Sequence, residues 1–286
     1  MHLLLCGHGY LGQAISRDFL QAGWSVTAVS RGESDSVPEH PKLSAQHGDI
    51  SDPESVHNDL KRSSPKPDFI IHCAASGRGG PDAYRAVYRD GCRNLATAFP
   101  DTPLLFTSST SVYAQTDGSI VTEESPADPD RETGRLLRDA EQIVLDAKGI
   151  VFRLAGIYGP YRSAILKKFL AGESTLEEDG RRFINQIHRD DAASAVVHAA
   201  TCPLASGIYN VSDSHPRSQF DTFKSLSKQF DIPFPPSVPR DLNRKRGWTH
   251  KQVSNAKLLA TGWIPKHPDA LEAAPAIAST LLEGQA

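Results

Sequence analysis

The sequence has few cysteines, no long apolar run and no excess of positive charge, and each shortage excludes a class of protein. Its four cysteines are scattered without a C-x-x-C pair, so their spacing indicates neither a zinc site nor a disulfide framework. We therefore expect reduced, buried thiols and no bound metal. The cysteines are Cys6, Cys73, Cys92 and Cys202.

The balance of charge and the N-terminal segment exclude further classes. Lys and Arg total 31 against 34 Asp and Glu, a formal net charge of -3, so no overall field favours nucleic acid or anionic lipid. Residues 1–7 contain no basic region, and their apolar run is too short for a signal peptide or a membrane span. We expect a cytoplasmic protein without nucleic-acid or membrane partners.

Short apolar runs alternate with stretches of helical period in the first half of the chain, as in successive βα units of a parallel sheet. Residues 3–6 predict a strand, and Leu11, Ile15 and Phe19 then form an apolar helical stripe that ends at Gly23. Further strands are predicted over 26–29, 43–46, 69–73, 104–107, 151–154 and 208–211. Further helices are predicted after Asp52, after Asp82, and over 136–147, 164–170 and 192–200.

This pattern predicts an α/β fold, a doubly wound parallel Rossmann sheet with a small C-terminal substrate lobe. We assign residues 1–160 to a dinucleotide-binding domain, to which residues 185–212 return. The pattern loosens beyond residue 160 and becomes proline-dense over residues 232–239. Residues 161–184 and 213–286 are therefore assigned to the smaller lobe.

Residues 7–12, Gly-His-Gly-Tyr-Leu-Gly, match G-x-G-x-x-G directly between a predicted strand and a predicted helix. The first glycine permits a tight turn, the second lets the backbone approach a pyrophosphate, and the third lets the helix pack close to the strand. The helix N-terminus adds free N–H groups and a positive dipole end. The residues predicted to bind NAD(P) here are Gly7, Gly9, Tyr10, Leu11 and Gly12.

Ser30 and Arg31 stand at the predicted end of the second strand, where NAD-binding units carry an acidic residue for the ribose 2′-hydroxyl. An arginine can instead form charge-assisted hydrogen bonds to a 2′-phosphate, worth roughly tenfold to a hundredfold in affinity. We therefore expect NADP(H) in preference to NAD(H). The alternative is an exposed surface arginine.

Seven motifs occur along the chain in a characteristic order, at residues 7–12, 48–50, 72–75, 108–113, 156–160, 185–191 and 253–258. Together they give the chain a resemblance to the extended short-chain dehydrogenase/reductases, and more narrowly to the NAD(P)-dependent epimerase/dehydratase family. The resemblance extends over about residues 1–268.

The resemblance implies roles for particular residues. Asp49 and Ile50 would lie on the adenine, although an aspartate just past a strand is also a common turn residue. The segment Cys73, Ala74 and Ala75 would line the cofactor, and the Ser109 hydroxyl would hold a substrate oxygen. The implied substrate is a sugar nucleotide or a related small carbonyl or alcohol, and the implied assembly is a homodimer.

The chain departs from the family at its proton-transfer pair. Alignment of the helix places Thr133 at the position of the family tyrosine and Leu137 at that of the lysine. A threonine hydroxyl is far less acidic than a phenol, and leucine supplies no charge. Tyr113, with Arg135 or Arg138 as a nearby positive charge, could substitute, or Tyr113 could instead contact the substrate or serve only for packing. The alternative is a non-catalytic NADP(H) sensor that signals through a partner.

The resemblance also places Asn185 and His188 in a substrate pocket. His188 could contact a phosphate or carry a proton, since an imidazole titrates near neutral pH. His188 could equally cap the next helix or pair with an acid, and Asp190 or Asp191 could also cap that helix. A basic run before Trp248 is either a diphosphate clamp or an exposed loop. The run consists of Arg240, Arg244, Lys245 and Arg246.

Overall fold

The computed structural model describes residues 1–32, 39–62, 65–77, 79–202, 204–241 and 248–283. Contacts between residues divide the chain into two compact units. The first contains residues 1–112, 129–153 and 193–209, and the second contains residues 113–128, 154–192 and 210–286. Each unit therefore draws on three separate segments of the chain.

The strands are numbered in chain order. They are β1 (His2–Cys6), β2 (Ser25–Ser30), β3 (Leu43–His47), β4 (Phe69–His72), β5 (Leu104–Ser109), β6 (Ile120–Val121), β7 (Ile150–Leu154), β8 (Gly156–Tyr158), β9 (Leu176–Glu177), β10 (Phe183–Ile184), β11 (Gln186–His188), β12 (Gly207–Val211), β13 (Arg217–Ser218), β14 (Ser237–Val238) and β15 (Gln252–Val253).

The α-helices are numbered in the same way, and π-helical turns at Val56–Lys61 and Arg85–Asp90 extend two of them. They are α1 (Tyr10–Gln21), α2 (Pro53–Ser55), α3 (Pro81–Tyr84), α4 (Gly91–Ala98), α5 (Glu132–Asp146), α6 (Ala164–Leu170), α7 (Arg189–Thr201), α8 (Gln219–Phe230), α9 (Ala256–Leu259) and α10 (Ala270–Glu283).

The central sheet has seven strands in the order β12-β7-β5-β4-β1-β2-β3. Strand β1 pairs in parallel with both β2 and β4, so the order of the strands reverses beside β1. Leu3, Leu4 and Leu5 are fully buried, as expected of a central parallel strand covered on both faces. The predicted α/β, doubly wound Rossmann fold is confirmed.

Local signals set most of the helix boundaries in the first unit. Helix α1 buries the predicted stripe, and Gly23 follows its C-cap with a φ of 85°, a conformation that favours glycine. The Asp52 carboxylate accepts a hydrogen bond from the Glu54 N–H, which confirms the predicted cap. The predicted cap at Asp82 is wrong, because α3 begins one residue earlier, at Pro81.

The second unit consists of short paired strands and a helical core. Its strand pairs are β10-β13, β8-β11, β9-β14 and β6-β15. Helices α6, α8 and α10 bury a common apolar cluster that includes Phe169, Phe223 and Ile277. Among the helices in the part of the chain that the structure describes, none is long and apolar enough to cross a membrane.

Candidate functional site

The glycine turn between β1 and α1 is too crowded for side chains at two of its three glycines. Gly7 has a φ of 108°, and a Cβ added there would lie 2.4 Å from the Ala74 nitrogen. A Cβ at Gly12 would lie 2.0 Å from the Gly7 carbonyl oxygen. The lack of a side chain at Gly7 therefore lets the turn pack closely against the segment that follows β4. The lack of a side chain at Gly12 lets α1 pack closely against the turn.

The middle glycine lies in open space. A Cβ added at Gly9 would meet no heavy atom within 4 Å among the described residues. Gly9 is the N-cap of α1, and no side chain in the described segments caps this end of the helix. Tyr10 is the half-buried first residue of α1, and Leu11 is buried behind it. The turn therefore exposes backbone rather than side chains, which fits a dinucleotide pyrophosphate.

The segment after β4 lies against this turn. The Cys73 thiol donates a hydrogen bond to the Gly7 carbonyl at 3.0 Å, and burial raises the pKa of the thiol to about 12. Such a thiol stays protonated and unreactive at neutral pH. Ala74 is half-buried and Ala75 is exposed. Cys73 thus fixes the glycine turn through a hydrogen bond.

The end of β2 carries the predicted ribose contacts on its surface. The half-buried Ser30 hydroxyl donates to the Gly32 carbonyl at 3.3 Å, and Arg31 is exposed. The end of β3 leads into Asp49, whose carboxylate accepts hydrogen bonds from the Ser51 N–H and hydroxyl at 2.9 and 2.7 Å. These bonds close a local turn, and Ile50 next to it is buried.

Ser109 ends β5 half-buried, and its hydroxyl oxygen accepts the Ser111 N–H at 3.2 Å. Thr133 is half-buried in the first turn of α5, and Leu137 is buried one turn later. Arg135 is exposed and donates to the Asp130 carbonyl at 2.9 Å. The first turns of α5 therefore carry a half-buried hydroxyl at Thr133 and a buried apolar side chain at Leu137.

Glu141 on α5 forms a buried ionic network that the sequence analysis missed. Its carboxylate is fully buried and accepts hydrogen bonds from the Ser108 hydroxyl at 2.6 Å and the Arg153 Nη2 at 2.7 Å. Arg138 also donates to it, so this arginine is already engaged by an acid. The available signal was a glutamate within the apolar stripe of a helix, since glutamate is rarely buried unless paired.

In the second unit, Tyr113 is completely buried. Its phenol donates a hydrogen bond to the Asn210 Oδ1 at 2.8 Å. The Asn210 amide in turn donates to the Ser254 carbonyl at 3.1 Å, and the Asn210 N–H donates to the Glu123 carboxylate at 2.7 Å. This arrangement makes Tyr113 an internal anchor between segments distant in sequence, which is the packing interpretation of this tyrosine.

Lys251 is a buried lysine for which the sequence analysis had no signal. Its ammonium group donates to the Tyr113 carbonyl at 2.7 Å and to the Thr249 hydroxyl at 3.0 Å. Burial, with a smaller contribution from Arg182, lowers the pKa of Lys251 to about 7. The Asn185 amide donates to the Lys251 carbonyl at 2.9 Å and accepts the Val253 N–H at 2.8 Å. Both functional ends of Asn185 therefore hold the Lys251 segment.

His188 is buried against a second histidine. Its ring stacks on His267 with centroids 3.8 Å apart, and its Nδ1 accepts the Asp190 N–H at 3.2 Å. Burial, and then His267, lower the pKa of His188 to about 4, so its ring is neutral at pH 7. The Asp191 carboxylate accepts the Lys266 and His267 N–H groups at 2.8 Å. The predicted N-cap at Asp190 or Asp191 is wrong, because α7 begins at Arg189. The alternative that His188 caps this helix is confirmed, since its ring accepts the Asp190 N–H.

His188, Asp191 and His267 bring three possible metal-ligand atoms within 4.8 Å of one another. The two imidazole planes are only 22° apart, so their in-plane lone pairs run side by side rather than toward one point. The Asp191 oxygens already accept backbone hydrogen bonds. This geometry favours ring stacking over metal coordination.

Only part of the basic run falls within the described residues. Arg240 lies 4.8 Å above the Trp248 ring and forms an ion pair with Glu178 at 2.7 Å. The Trp248 indole donates to the Glu177 carboxylate at 3.1 Å. The rest of the run, Arg244, Lys245 and Arg246, lies outside the described residues.

Comparison with known sequences gives two findings. A model of the NAD dependent epimerase/dehydratase family matches residues 3–212 of the chain. Protein YeeZ of Escherichia coli strain K12 is 29% identical over 277 residues, which cover 93% of this chain and 96% of YeeZ.

Comparison with solved structures extends the likeness to the whole chain. The UDP-glucose 4-epimerase of Thermus thermophilus, in complex with NAD, has a TM-score of 0.81 at 21% identity, with 99% of each chain covered. The UDP-glucuronic acid 4-epimerase of Bacillus cereus, in complex with UDP-glucuronic acid and NAD, has a TM-score of 0.80 at 17% identity, again with 99% of each covered. At these identities the likeness shows a common fold.

Proposed function

The chain belongs to the NAD-dependent epimerase/dehydratase family, and we propose that it is an NAD(P)-dependent oxidoreductase of this type acting on a sugar nucleotide or a related small carbonyl or alcohol. One observation carries the proposal: the turn at residues 7–12 leaves no room for side chains at Gly7 and Gly12 but is open at Gly9. Crowding explains the glycines at positions 7 and 12, but it does not explain the glycine at position 9. A pyrophosphate that approaches the backbone at Gly9 would explain the missing side chain there.

The proposed cofactor is NADP(H), held at the ribose by Ser30 and Arg31. Both solved structures described above contain NAD, so the preference for the phosphorylated cofactor rests on Arg31 alone. Its exposed guanidinium directly follows β2, and the described residues 25–32 contain no acidic side chain, which suits a 2′-phosphate. NAD(H) is the alternative cofactor.

Arg31→Ala is expected to weaken NADPH binding by roughly tenfold to a hundredfold and to leave NADH binding nearly unchanged, because only NADPH offers a 2′-phosphate. Titration of nicotinamide fluorescence with each cofactor measures both affinities. Arg93→Ala serves as the control, since Arg93 is an exposed arginine of α4 paired with Asp90. Equal losses for the two cofactors would make Arg31 an ordinary surface residue.

The proposed catalytic group is the Ser109 hydroxyl, with Thr133 in the place of the family phenol. Tyr113 is the less favoured acid or base, since its phenol is buried and already donates to Asn210. The proposed chemistry therefore depends on hydrogen bonding to a substrate oxygen more than on a strong proton donor. Hydride transfer itself would be supplied by the bound nicotinamide.

Turnover is tested by adding nucleotide sugars and simple carbonyls to the NADPH- or NADP-loaded protein. Nicotinamide absorbance detects net redox change, and proton NMR of the sugar detects an epimerisation that returns its hydride. Ser109→Ala is expected to lower kcat by about 10²–10³, the cost of removing one hydrogen-bond donor to a developing oxyanion, without changing cofactor affinity. Ser111→Ala is the control, because Ser111 contacts Ser109 through its backbone. Unchanged turnover in Ser109→Ala would remove Ser109 from the site.

A non-catalytic NADP(H) sensor is the second candidate, and the buried Leu137 at the lysine position specifically favours it. Without that ammonium, nothing at this position lowers the pKa of a neighbouring hydroxyl. Tight cofactor binding, with no redox change and no altered sugar across the panel, would favour the sensor.

A further inference from the structure

The glycine turn and the ends of β2 and β3 lie side by side at the carboxyl edge of the central sheet. The Gly7 N–H donates to the Val29 carbonyl at 2.9 Å, and the Gly48 N–H donates to the Ser30 carbonyl at 3.1 Å. Neighbouring strands of a sheet are about 4.8 Å apart. A dinucleotide with its pyrophosphate on the glycine turn would therefore have its adenosine ribose at the end of β2, one strand away from β3.

His47 is the last residue of β3, and the parallel register of the two strands places it directly opposite Ser30. Paired residues of adjacent strands present their side chains on the same face of the sheet. The same ladder shows how close such side chains lie, because the hydroxyls of the paired Thr27 and Ser44 are 3.1 Å apart. His47 therefore lies beside Ser30, the predicted ribose contact.

The His47 side chain lies on the open face of β3. The preceding residue, Gln46, donates to the Asp59 carbonyl in the π-helical turn at Val56–Lys61, and successive side chains of a strand point to opposite faces. β3 is an edge strand of the sheet, and His47 is exposed. Among the described residues, no group forms a hydrogen bond or an ion pair with its ring. The imidazole is therefore available to a ligand.

The acidic groups nearest to His47 along the described chain have other partners. The Asp49 carboxylate, two residues later, accepts the N–H and the hydroxyl of Ser51. The Asp59 carboxylate, in the turn on the opposite face of β3, accepts the Ser55 hydroxyl at 2.7 Å. On the side of β2, the charged residue that follows the strand is the exposed Arg31. The ends of β2 and β3 thus bring an arginine and a histidine together.

We infer that His47 is a second contact for the 2′-phosphate of NADP(H), with its imidazole N–H donating to the phosphate group that the Arg31 guanidinium also holds. This inference rests on the proposed NADP(H) cofactor. Arg31 directly follows Ser30, and its long side chain can reach a group bound beside His47. Two basic side chains on adjacent strand ends suit a phosphate dianion, whereas the ribose 2′-hydroxyl of NAD(H) has no charge for either of them.

His47→Gln is expected to weaken NADPH binding about tenfold and to leave NADH binding nearly unchanged, because only NADPH carries the phosphate. Titration of nicotinamide fluorescence at fixed ionic strength measures both affinities. Calorimetry with 2′,5′-ADP and with ADP repeats the comparison without the nicotinamide half, and 2′,5′-ADP alone should lose affinity. Thermal unfolding checks that the variant is folded.

Two further variants separate a phosphate contact from a general effect of the substitution. His47→Lys keeps a cationic N–H donor at this position, so it should retain most of the wild-type preference for NADPH. His57→Gln is the matched control, since His57 is an exposed histidine in the π-helical turn on the other face of β3. This variant should bind both cofactors as the wild type does.

Failure of this inference differs from failure of the proposed cofactor. Equal losses of NADPH and NADH affinity in His47→Gln would overturn the inference, and so would full NADPH affinity in His47→Gln when Arg31→Ala loses it. In both cases the preference for NADPH in the wild-type protein would remain. A wild-type protein that binds NADPH no more tightly than NADH would overturn the cofactor proposal, and the role of His47 with it.

Discussion

Glu141→Gln is expected to lower the free energy of unfolding by about 3–5 kcal/mol, the usual cost of removing one member of a buried ion pair. The carboxylate is fully buried and receives the Ser108 hydroxyl and the guanidinium of Arg153, which is itself 1% exposed. A neutral amide leaves that guanidinium buried without the negative charge that offsets its desolvation. Urea unfolding followed by circular dichroism measures the change.

Glu132→Gln provides the matched control on the same helix. Glu132 pairs with Arg85 at 2.9 Å, but both side chains are more than one-third exposed. Such a surface pair contributes about 0–1 kcal/mol, so this variant should unfold close to wild type. Similar losses for the two variants would mean that burial does not set the strength of the Glu141 network.

Gly12→Ala is expected to cost about 1–3 kcal/mol in stability and to abolish NADPH binding. The new methyl carbon would lie 2.0 Å from the Gly7 carbonyl oxygen, so α1 or the turn must move. The Gly7 carbonyl oxygen is a backbone atom, so it cannot rotate away as the end of a flexible side chain could. Denaturant unfolding and nicotinamide fluorescence measure the two losses separately.

Gly9→Ala separates cofactor contact from folding. The added methyl group meets no described atom in the ligand-free protein, so stability should remain within about 0.5 kcal/mol of wild type. A dinucleotide that approaches this backbone would meet the methyl group, and NADPH affinity should fall at least tenfold. Gly80→Ala, at the open N-cap of α3, is the control. Full NADPH affinity in Gly9→Ala would place the pyrophosphate elsewhere.

Local physical rules account for what could be predicted from the sequence. The glycine turn, the stripe of α1 and the cap at Asp52 each depend on residues within a few positions, so their spacing alone predicts them. The cap at Asp82 was wrong for an equally local reason, because Pro81 competes for the first helical position.

Contacts between distant residues could not be predicted in this way. Asn185 was expected to face a substrate, yet its amide pairs with residues 66 and 68 positions later in the chain. The Tyr113 phenol likewise finds its acceptor 97 residues away. A single sequence carries no spacing signal for such pairs, and the unusual environment of Lys251 follows from them. The burial of Glu141 is the exception, because a glutamate within the apolar stripe of a helix can be recognised in the sequence.

The division of each unit among three chain segments has a consequence for synthesis on the ribosome. The hydrogen bond between Tyr113 and Asn210 joins residues 97 positions apart in the chain, and that between Asn185 and Lys251 joins residues 66 positions apart. The second unit therefore cannot assemble until its last segment has emerged, while β1 to β5 are already available. Residues 113–128 are synthesised before their partners in this unit, since Tyr113 bonds to Asn210 and β6 pairs with β15. We therefore expect this segment to remain without its native contacts longest during synthesis.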